Sequence, residues 1–434
     1  MSDELHIDLR DLEIDADMPA LRRVWREIGW SDSKQTDRAM LDFYAEGETG
    51  VALINGEVEC AVLAQYGTMR LDHHDLPLCV VSAVTTSRIA RGLSLAQKLT
   101  ARQLVKGQQA GAAVATLGMF DQGFYNKVGF GTGAYTNEFA FDPGLLDVGL
   151  KARTPVRLSV EQADQMLGAM VASPRVHGSV VLNLPRTFEA ELTMDDNAFG
   201  LGYYDGSRLT HFVWMRAKGE NGPYQVKWMG YENGDGLLEL LALLKSLADQ
   251  VYSIRMHEPP HVQLQSVLKR PFRSQAIAEK GKFYADQNTY AWYQLRVLDL
   301  ASCLGALSYS GLDVAFQLRL EDPIDSVLAA EDLAVERAAW RSLSGDWVVT
   351  LGRRSTAVSA TDAALPTLEC TVNSFSRLLW GVASASSLAV SDGLKAPSHL
   401  LESLDGVFPA HPNPGWDFLC SRIRTAGRWH DGDR

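Results

Sequence analysis

Apolar and polar positions follow two periods along this chain, and the switches between them outline its elements. Leu21, Val24, Trp25 and Ile28 recur at helical spacing, which predicts a helix over 20–28. Apolar runs at 51–54 and 58–64 flank Asn55-Gly56, a pair that readily supplies the two positive φ angles of a type I′ turn, so a hairpin is expected there. Residues 78–84 are apolar and β-branched, the pattern of a buried strand. Past Arg91-Gly92, the spacing of Leu93, Ala96, Thr100 and Leu104 predicts a helix over 93–109, with Gly107 near its end. A second buried strand is expected at 112–117, followed by a glycine-punctuated turn region over 123–133.

The middle of the chain repeats this order. Residues 200–204 and 209–215 flank Asp205-Gly206 as a second hairpin, 224–231 alternates as a strand, 236–250 is a leucine-rich helix, and 251–256 is a short strand. Hairpin, strand, helix and strand thus occur twice, which points to two copies of one α/β unit. The copies differ at the strand–helix turn: between Tyr231 and Leu237 stand only Glu232, Asn233, Gly234, Asp235 and Gly236, with no arginine. A third pattern begins near Tyr290. It has a strand-like run at 292–300, a short helix at 300–307, β character at 314–320, 347–351 and 357–358, and helices at 372–382 and 386–390, an α+β arrangement. The tail 420–434, with four arginines among small and polar residues, is expected to be poorly ordered.

Composition narrows the class. The chain has 434 residues, 46% hydrophobic and 22% charged, a length that suits about three domains. Its formal charge of −12 gives no global attraction for phosphate backbones or anionic lipid, so nucleic-acid and membrane partners are not expected. The five cysteines, Cys60, Cys79, Cys303, Cys370 and Cys420, are odd in number, scattered and without a CxxC pair, which argues against a disulfide framework or a thiolate zinc site. The acidic N-terminus has no apolar core of a secretory signal, and no run reaches the roughly eighteen apolar residues of a membrane span. A reducing, cytoplasmic setting is the expectation.

Two stretches could carry chemistry. The first runs from the buried strand through Thr85-Thr86-Ser87-Arg88-Ile89-Ala90-Arg91-Gly92 into the helix. It places unpaired backbone donors, a glycine and two arginines at the positive end of a helix, a suitable seat for a pyrophosphate. Arg88 and Arg91 would add charge-assisted hydrogen bonds. Taken alone, the stretch reads equally well as an ordinary strand–helix turn with exposed arginines. The second, Phe124-Tyr125-Asn126-Lys127-Val128-Gly129-Phe130-Gly131, follows the next strand. In an open α/β sheet the loops after adjacent strands meet at one edge, so Tyr125 could face a ligand held near Arg91. Taken alone, aromatics flanked by glycines are more often packing residues. His73-His74 with Asp72 and Asp75 reads as a solvated loop, because neighbouring residues on a strand point to opposite faces and chelate poorly. His257 and His261 flank Pro259-Pro260, which forces an extended turn rather than a helical pair of ligands. Arg353-Arg354 reads as a hairpin tip.

Together, the 84–92 turn and the 124–131 segment resemble the acetyl-CoA site of the GNAT superfamily of N-acetyltransferases. Trp292-Tyr293-Gln294-Leu295-Arg296-Val297-Leu298-Asp299-Leu300, then Phe375 to Gly381 with Ser384, Leu388 and Gly393, and finally Pro414 to Leu419, are similar to a sterol-carrier-like C-terminal domain. That order resembles the Eis (enhanced intracellular survival) aminoglycoside acetyltransferase family over about residues 10–419. The resemblance implies an α/β fold of two tandem GNAT units, at 1–142 (acetyl-CoA-binding) and 143–289 (degenerate), then a sterol-carrier-like α+β domain at 290–419 and an extension at 420–434. It further implies acetyl-CoA as co-substrate with no metal, a small cationic amine or a lysine as acceptor, and hexamers of two trimers. Residue by residue, it implies Tyr125 as general acid on the departing thiolate. Ser82 and Val84 would pair with the pantetheine arm, and Arg88, Arg91, Gly92 and Leu93 would lie around the pyrophosphate. Two departures stand out. The usual Q/R-x-x-G-x-G/A is here Ile89-Ala90-Arg91-Gly92-Leu93-Ser94, and the family's terminal carboxylate base falls at Leu419, with 15 residues after it (434 − 419), so that Asp417, a water or no base substitutes. These departures keep two alternatives in view: a catalytically weakened oligomeric binding protein that retains the pocket, and a lipid carrier acting through the third domain.

Overall fold

The computed structural model describes residues 5–31, 34–195, 197–260, 262–271 and 281–409. The first part of the chain supplies β1 (Ile7–Asp11), α1 (Ile14–Glu27), α2 (Lys34–Ala45), β2 (Glu48–Ile54), β3 (Glu57–Leu71), β4 (His74–Thr86), α3 (Leu95–Gln109), β5 (Val114–Gly118) and β6 (Gly131–Thr132). The middle part supplies β7 (Thr136–Phe141), β8 (Val156–Leu158), α4 (Ala163–Val171), β9 (Val180–Val181), α5 (Pro185–Thr193), β10 (Ala198–Asp205), β11 (Arg208–Ala217), β12 (Tyr224–Tyr231), α6 (Gly234–Ser246), β13 (Ile254–His257) and β14 (Asp286–Tyr290). The third part holds β15 (Tyr293–Val297), β16 (Val314–Glu321), β17 (Gly345–Leu351), β18 (Thr356–Ser359) and β19 (Thr367–Thr371), with short helices between and after them.

Local chemistry accounts for most of these boundaries. Asn55 (φ 52°) and Gly56 (φ 89°) turn β2 into β3, as a type I′ turn requires. Residues 58–65 of β3 are buried on both faces, which is why they read as one continuous apolar run. Against one face lie α1 and α2 through Leu21, Trp25, Phe43 and Tyr44, and against the other lies α3 through Leu95, Leu99 and Leu104. At full burial each such side chain contributes about 1.5–3 kcal/mol. Gly107 keeps α3 close to the sheet: a Cβ there would stand 2.8 Å from the Cys79 sulfur. The helix predicted from residue 93 begins at Leu95, because Gly92 and Ser94 both take left-handed conformations.

The repeated order of the sequence becomes two sheets of matching plan. The first runs β1-β2-β3-β4-β5-β15-β6, with β9 paired to β3, and the second β14-β7-β13-β12-β11-β10-β8. In each, antiparallel strands lead to one parallel pair, β4–β5 or β12–β13, with the intervening helix α3 or α6 crossing over. The place beyond the parallel pair is filled reciprocally. β7, next in the chain after β6, joins the second sheet beside β13, whereas β15, next after β14, joins the first sheet between β5 and β6. This exchange of strands ties the three parts of the chain together. The third part adds a four-stranded sheet, β18-β17-β16-β19, whose helix Ile324–Leu328 closes the core around α3 with Ile324, Leu328 and Leu333. Among the described residues, no helix is long and apolar enough to cross a membrane.

Candidate active site

The two stretches singled out in the sequence meet at the carboxyl end of β4. β3 and β4 pair regularly until Leu63–Ser82 and resume at Ala61–Thr85, so Ala83 and Val84 together oppose Val62. This is a β-bulge, and Ala83 takes a positive φ of 46° to make it. On the other side, β4 pairs with β5 only from Leu78–Val114 to Val81–Leu117. From Ser82 to Thr86 that edge of β4 has no strand beside it among the described residues. Its free N–H and C=O groups suit an extended chain carrying amides, which could add to the edge as a strand would. The Ser82 hydroxyl donates to Gln65 Oε1 at 3.3 Å, and Val84 packs half-buried against the α3 side of the core.

Beyond Thr86 the chain enters the turn. Ser87 N–H donates to Glu59 O (2.8 Å), fixing the base of the turn to β3. Arg88 turns toward the end of α1: its N–H donates to Glu27 Oε2 (3.0 Å) and its guanidinium to Glu27 O (3.1 Å). The hydrogen bond from the Arg88 N–H, together with Arg23 at 3.0 Å, holds the Glu27 carboxyl below its ordinary pKa. Arg91 and Gly92 are exposed, as is Ile89, and Leu93 is half-buried. Arg91 makes no ion pair within the described residues. Gly92 (φ 85°) and Ser94 (φ 58°) both occupy the left-handed region, where glycine is the least strained residue. Ser94 gives no side-chain cap to α3, and no acidic residue lies in the first helical turn. The helix therefore begins with no side-chain cap and no acidic residue to offset its positive end, next to the exposed Arg91, Gly92 and Ser94.

The equivalent helix of the middle part is closed. Asn233 caps α6 by accepting from Gly236 N–H at 3.0 Å, and Asp235 sits in its first turn. Glu239, one turn further on, binds Arg153 and His211, and those contacts pull its carboxyl down to about 2 despite burial. The chain's own atoms occupy the positions that α3 leaves open.

Tyr125 opens a short 3₁₀ turn, Tyr125–Val128, after β5. It is 2% exposed and packs edge-on to Phe120 (5.6 Å), Phe124 (4.9 Å) and Phe130 (6.3 Å between ring centroids). Burial pushes its phenol pKa well up, with Cys60 adding to the shift, so the hydroxyl holds its proton more tightly than an exposed tyrosine does. Cys60 pairs with Thr86 across the β3–β4 ladder, and its sulfur lies 3.3 Å from the Thr86 hydroxyl. Tyr125 thus belongs both to the core, as aromatics between glycines suggest, and to the neighbourhood of the free β4 edge. Three residues around its turn were not tied to this site by the sequence: Gln294 and Arg296 stand there only within the sterol-carrier-like motif, and Asn373 is not singled out; an arginine among the apolar residues of a strand-like run was the available signal.

The other candidates fall elsewhere. His73 and His74 are exposed at the β3–β4 turn, and Asp75 is tied to Arg70 and Arg175. Arg353 and Arg354 lie exposed between β17 and β18. Among the described residues, no group of three or more His, Cys, Asp or Glu side chains could hold a metal ion. Cys420, His261, Asp417, Leu419 and the 420–434 extension lie outside the described residues.

The sequence matches no protein-family model. No curated protein matches it either. Solved structures do match in shape. A GCN5-related N-acetyltransferase from Kribbella flavida superposes with a TM-score of 0.70 at 18% identity, covering 94% of this chain and 97% of that one. Eis1 from Mycobacterium abscessus gives 0.72 at 14% identity, covering 94% and 98%. A conserved Enterococcus faecalis protein described as a probable N-acyltransferase gives 0.74 at 14% identity, covering 92% and 96%. Over nearly its whole length, this chain has the α/β fold of GCN5-related N-acetyltransferases.

Proposed function

We propose that this protein is an Eis-like, acetyl-CoA-dependent N-acetyltransferase acting on the primary amine of a small cationic molecule or of a lysine. The observation that carries the reading is the continuity of two open features: the unpaired edge of β4 from Ser82 to Thr86 leads directly into the uncapped, acid-free start of α3. A thioester of a pantetheine pyrophosphate has a matching form, with amides along its arm and a dianion at its end. Ser82 and Val84 would hold the arm through backbone hydrogen bonds. Arg91, Gly92 and Leu93, with the first N–H groups of α3, would hold the pyrophosphate, and Arg88 would join them from its seat on Glu27. In the middle part the corresponding helix start is already capped, which supports a single cofactor site per chain.

When bound, acetyl-CoA supplies an acetyl group activated as a thioester. The chain contributes three things. Backbone N–H at the bulge polarises the carbonyl under attack. The neutral amine forms the new carbon–nitrogen bond and loses its extra proton to water, while Tyr125, buried and protonated, gives its proton to the sulfur as the carbon–sulfur bond breaks and regains one from solvent afterwards. The net charge of −12 favours the approach of a cationic acceptor. The third part would be the sterol-carrier-like domain of such enzymes, and hexamers the assembly.

Isothermal titration with acetyl-CoA, together with thiol release across a panel of amines, tests this reading. Binding with release for at least one amine supports it. Binding without release for any amine favours instead an oligomeric binding protein that keeps the pocket, a reading to which the Glu27–Arg88 contact and Ile89 lend weight. A lipid extracted from the purified protein, with no acetyl-CoA binding, would point to a carrier.

A further inference from the structure

The turn that carries Tyr125 is gripped by the third part of the chain. Asn373 Nδ2 donates to Asn126 O (2.9 Å) and to Phe130 O (2.7 Å). Arg296 donates to Val128 O (2.5 Å) and, through its other terminal nitrogen, to Asp322 Oδ2 (2.8 Å), with both charged side chains fully buried. Gln294 Nε2 donates to the Asn126 side chain (2.7 Å) and to Gln122 O (3.1 Å). Met119 N–H, at the start of the loop, donates to Trp292 O at 2.8 Å. The carbonyls of residues 126, 128 and 130 therefore all end on side chains from beyond residue 290.

Three glycines make this grip possible. A Cβ on Gly129 would stand 2.5 Å from Arg296 Nη1, one on Gly131 2.5 Å from Asn373 O, and one on Gly133 2.2 Å from the Tyr293 ring. Only Gly129 among them has a positive φ (85°), so close approach rather than backbone conformation explains the other two. The glycine punctuation that the sequence presents as a turn is a docking surface for β15 and the helix Val372–Leu379.

The geometry points to Gln294, Arg296 and Asn373 as positioning residues for Tyr125: by holding the carbonyls of its turn, they fix where the phenol meets the free edge of β4. They touch no reacting atom. Among the described residues, nothing from the first part of the chain makes equivalent contacts to those carbonyls, apart from the turn's own hydrogen bond, Gly129 N–H to Asn126 O (3.1 Å). The third part is thus required for the chemistry of the first. The inference rests on the proposed role of Tyr125, because a misplacement of about 1 Å at a reacting group costs on the order of 10²-fold in rate.

The test uses the full chain with Asn373→Ala, which leaves the Arg296–Asp322 pair intact, and Gln294→Leu as an independent second variant. Hydrogen exchange over residues 119–133 should rise in both, with exchange in β2 and β3 unchanged. Turnover should fall by about tenfold, with the KM for acetyl-CoA within about twofold, because ground-state binding is not what these residues serve. In a Tyr125→Phe background the same substitutions should lower turnover no further. Unchanged exchange over 119–133 in both variants, or a loss that multiplies with Tyr125→Phe, overturns the inference. If the unmodified chain releases no thiol with any amine, the acetyltransferase reading fails by itself, and the exchange result still decides whether the third part holds the turn.

Discussion

Arg296 and Asp322 form an ion pair from which water is excluded, and its removal should be legible in stability as a function of pH. Arg296→Met strips the Asp322 carboxylate of its cation and leaves Val128 O without its donor. Breaking one side of a buried pair costs about 3–5 kcal/mol, which includes the penalty of the unpaired charge. The direction with pH follows from Asp322, whose carboxyl is raised above its ordinary pKa by burial while Arg296 opposes that rise. A carboxyl with a folded pKa above its unfolded one binds its proton more tightly in the native state, so stability falls as pH rises from the unfolded value toward the folded one. Without Arg296 the folded value climbs further. The deficit should therefore be smallest at acidic pH, where the Asp322 carboxyl can take up its proton, and should grow by about 1.4 kcal/mol for each pH unit between the folded pKa of the parent protein and the higher one of the variant. Urea denaturation of the full chain at about pH 5 and about pH 8 measures it. Adding Asp322→Leu should recover much of the loss and remove its pH dependence. Equal deficits at both pH values, or a loss below about 1 kcal/mol at the higher one, would refute the picture of a dry, mutually dependent pair.

Tyr125→Phe should lower turnover by about 10²-fold with acetyl-CoA affinity nearly unchanged, since the phenol matters as the thiolate leaves; equal turnover in steady-state thiol release would remove it from the mechanism. Arg91→Ala should raise the Kd for acetyl-CoA by about tenfold at low salt, and less at high salt, because an exposed charge is screened; titration at two ionic strengths reads this directly. Ser94→Gly should stabilise the protein by about 0.5–1 kcal/mol by relieving a left-handed non-glycine residue, without weakening acetyl-CoA binding. A lower unfolding midpoint for that variant would contradict the backbone argument.

Much of the fold could be read from local pattern. Asn55-Gly56 announces its turn because few pairs accept two positive φ angles, and the apolar spacing from Ala96 to Leu104 announces α3 because a helix buries one stripe. The repeat of hairpin, strand, helix and strand is likewise a local fact, and both sheets bear it out. At the candidate site the legible part was the local layout of strand, turn and helix. A strand running into a glycine-bearing turn and a helix is a short-range feature, and the structure leaves that helix start open while closing its counterpart through Asn233 and Asp235.

What the sequence by itself determined, then, is the hairpins, strands and helices whose pattern and partners lie within a few residues; what only the tertiary structure decided is which distant elements complete them. Thr136–Phe141 and Tyr293–Val297 have the same short mixed pattern whichever sheet they join, so their exchange leaves no trace in periodicity. Gly131 and Gly133 are indistinguishable from turn glycines until Asn373 and Tyr293 come against them. Arg296 stands in the sequence only as one residue of a strand-like motif, until Asp322 and Val128 O are brought within hydrogen-bond reach. The reason is physical: turns and helices are stabilised by contacts a few residues apart, whereas burying a charge or closing a sheet needs groups that the chain brings together only by folding as a whole.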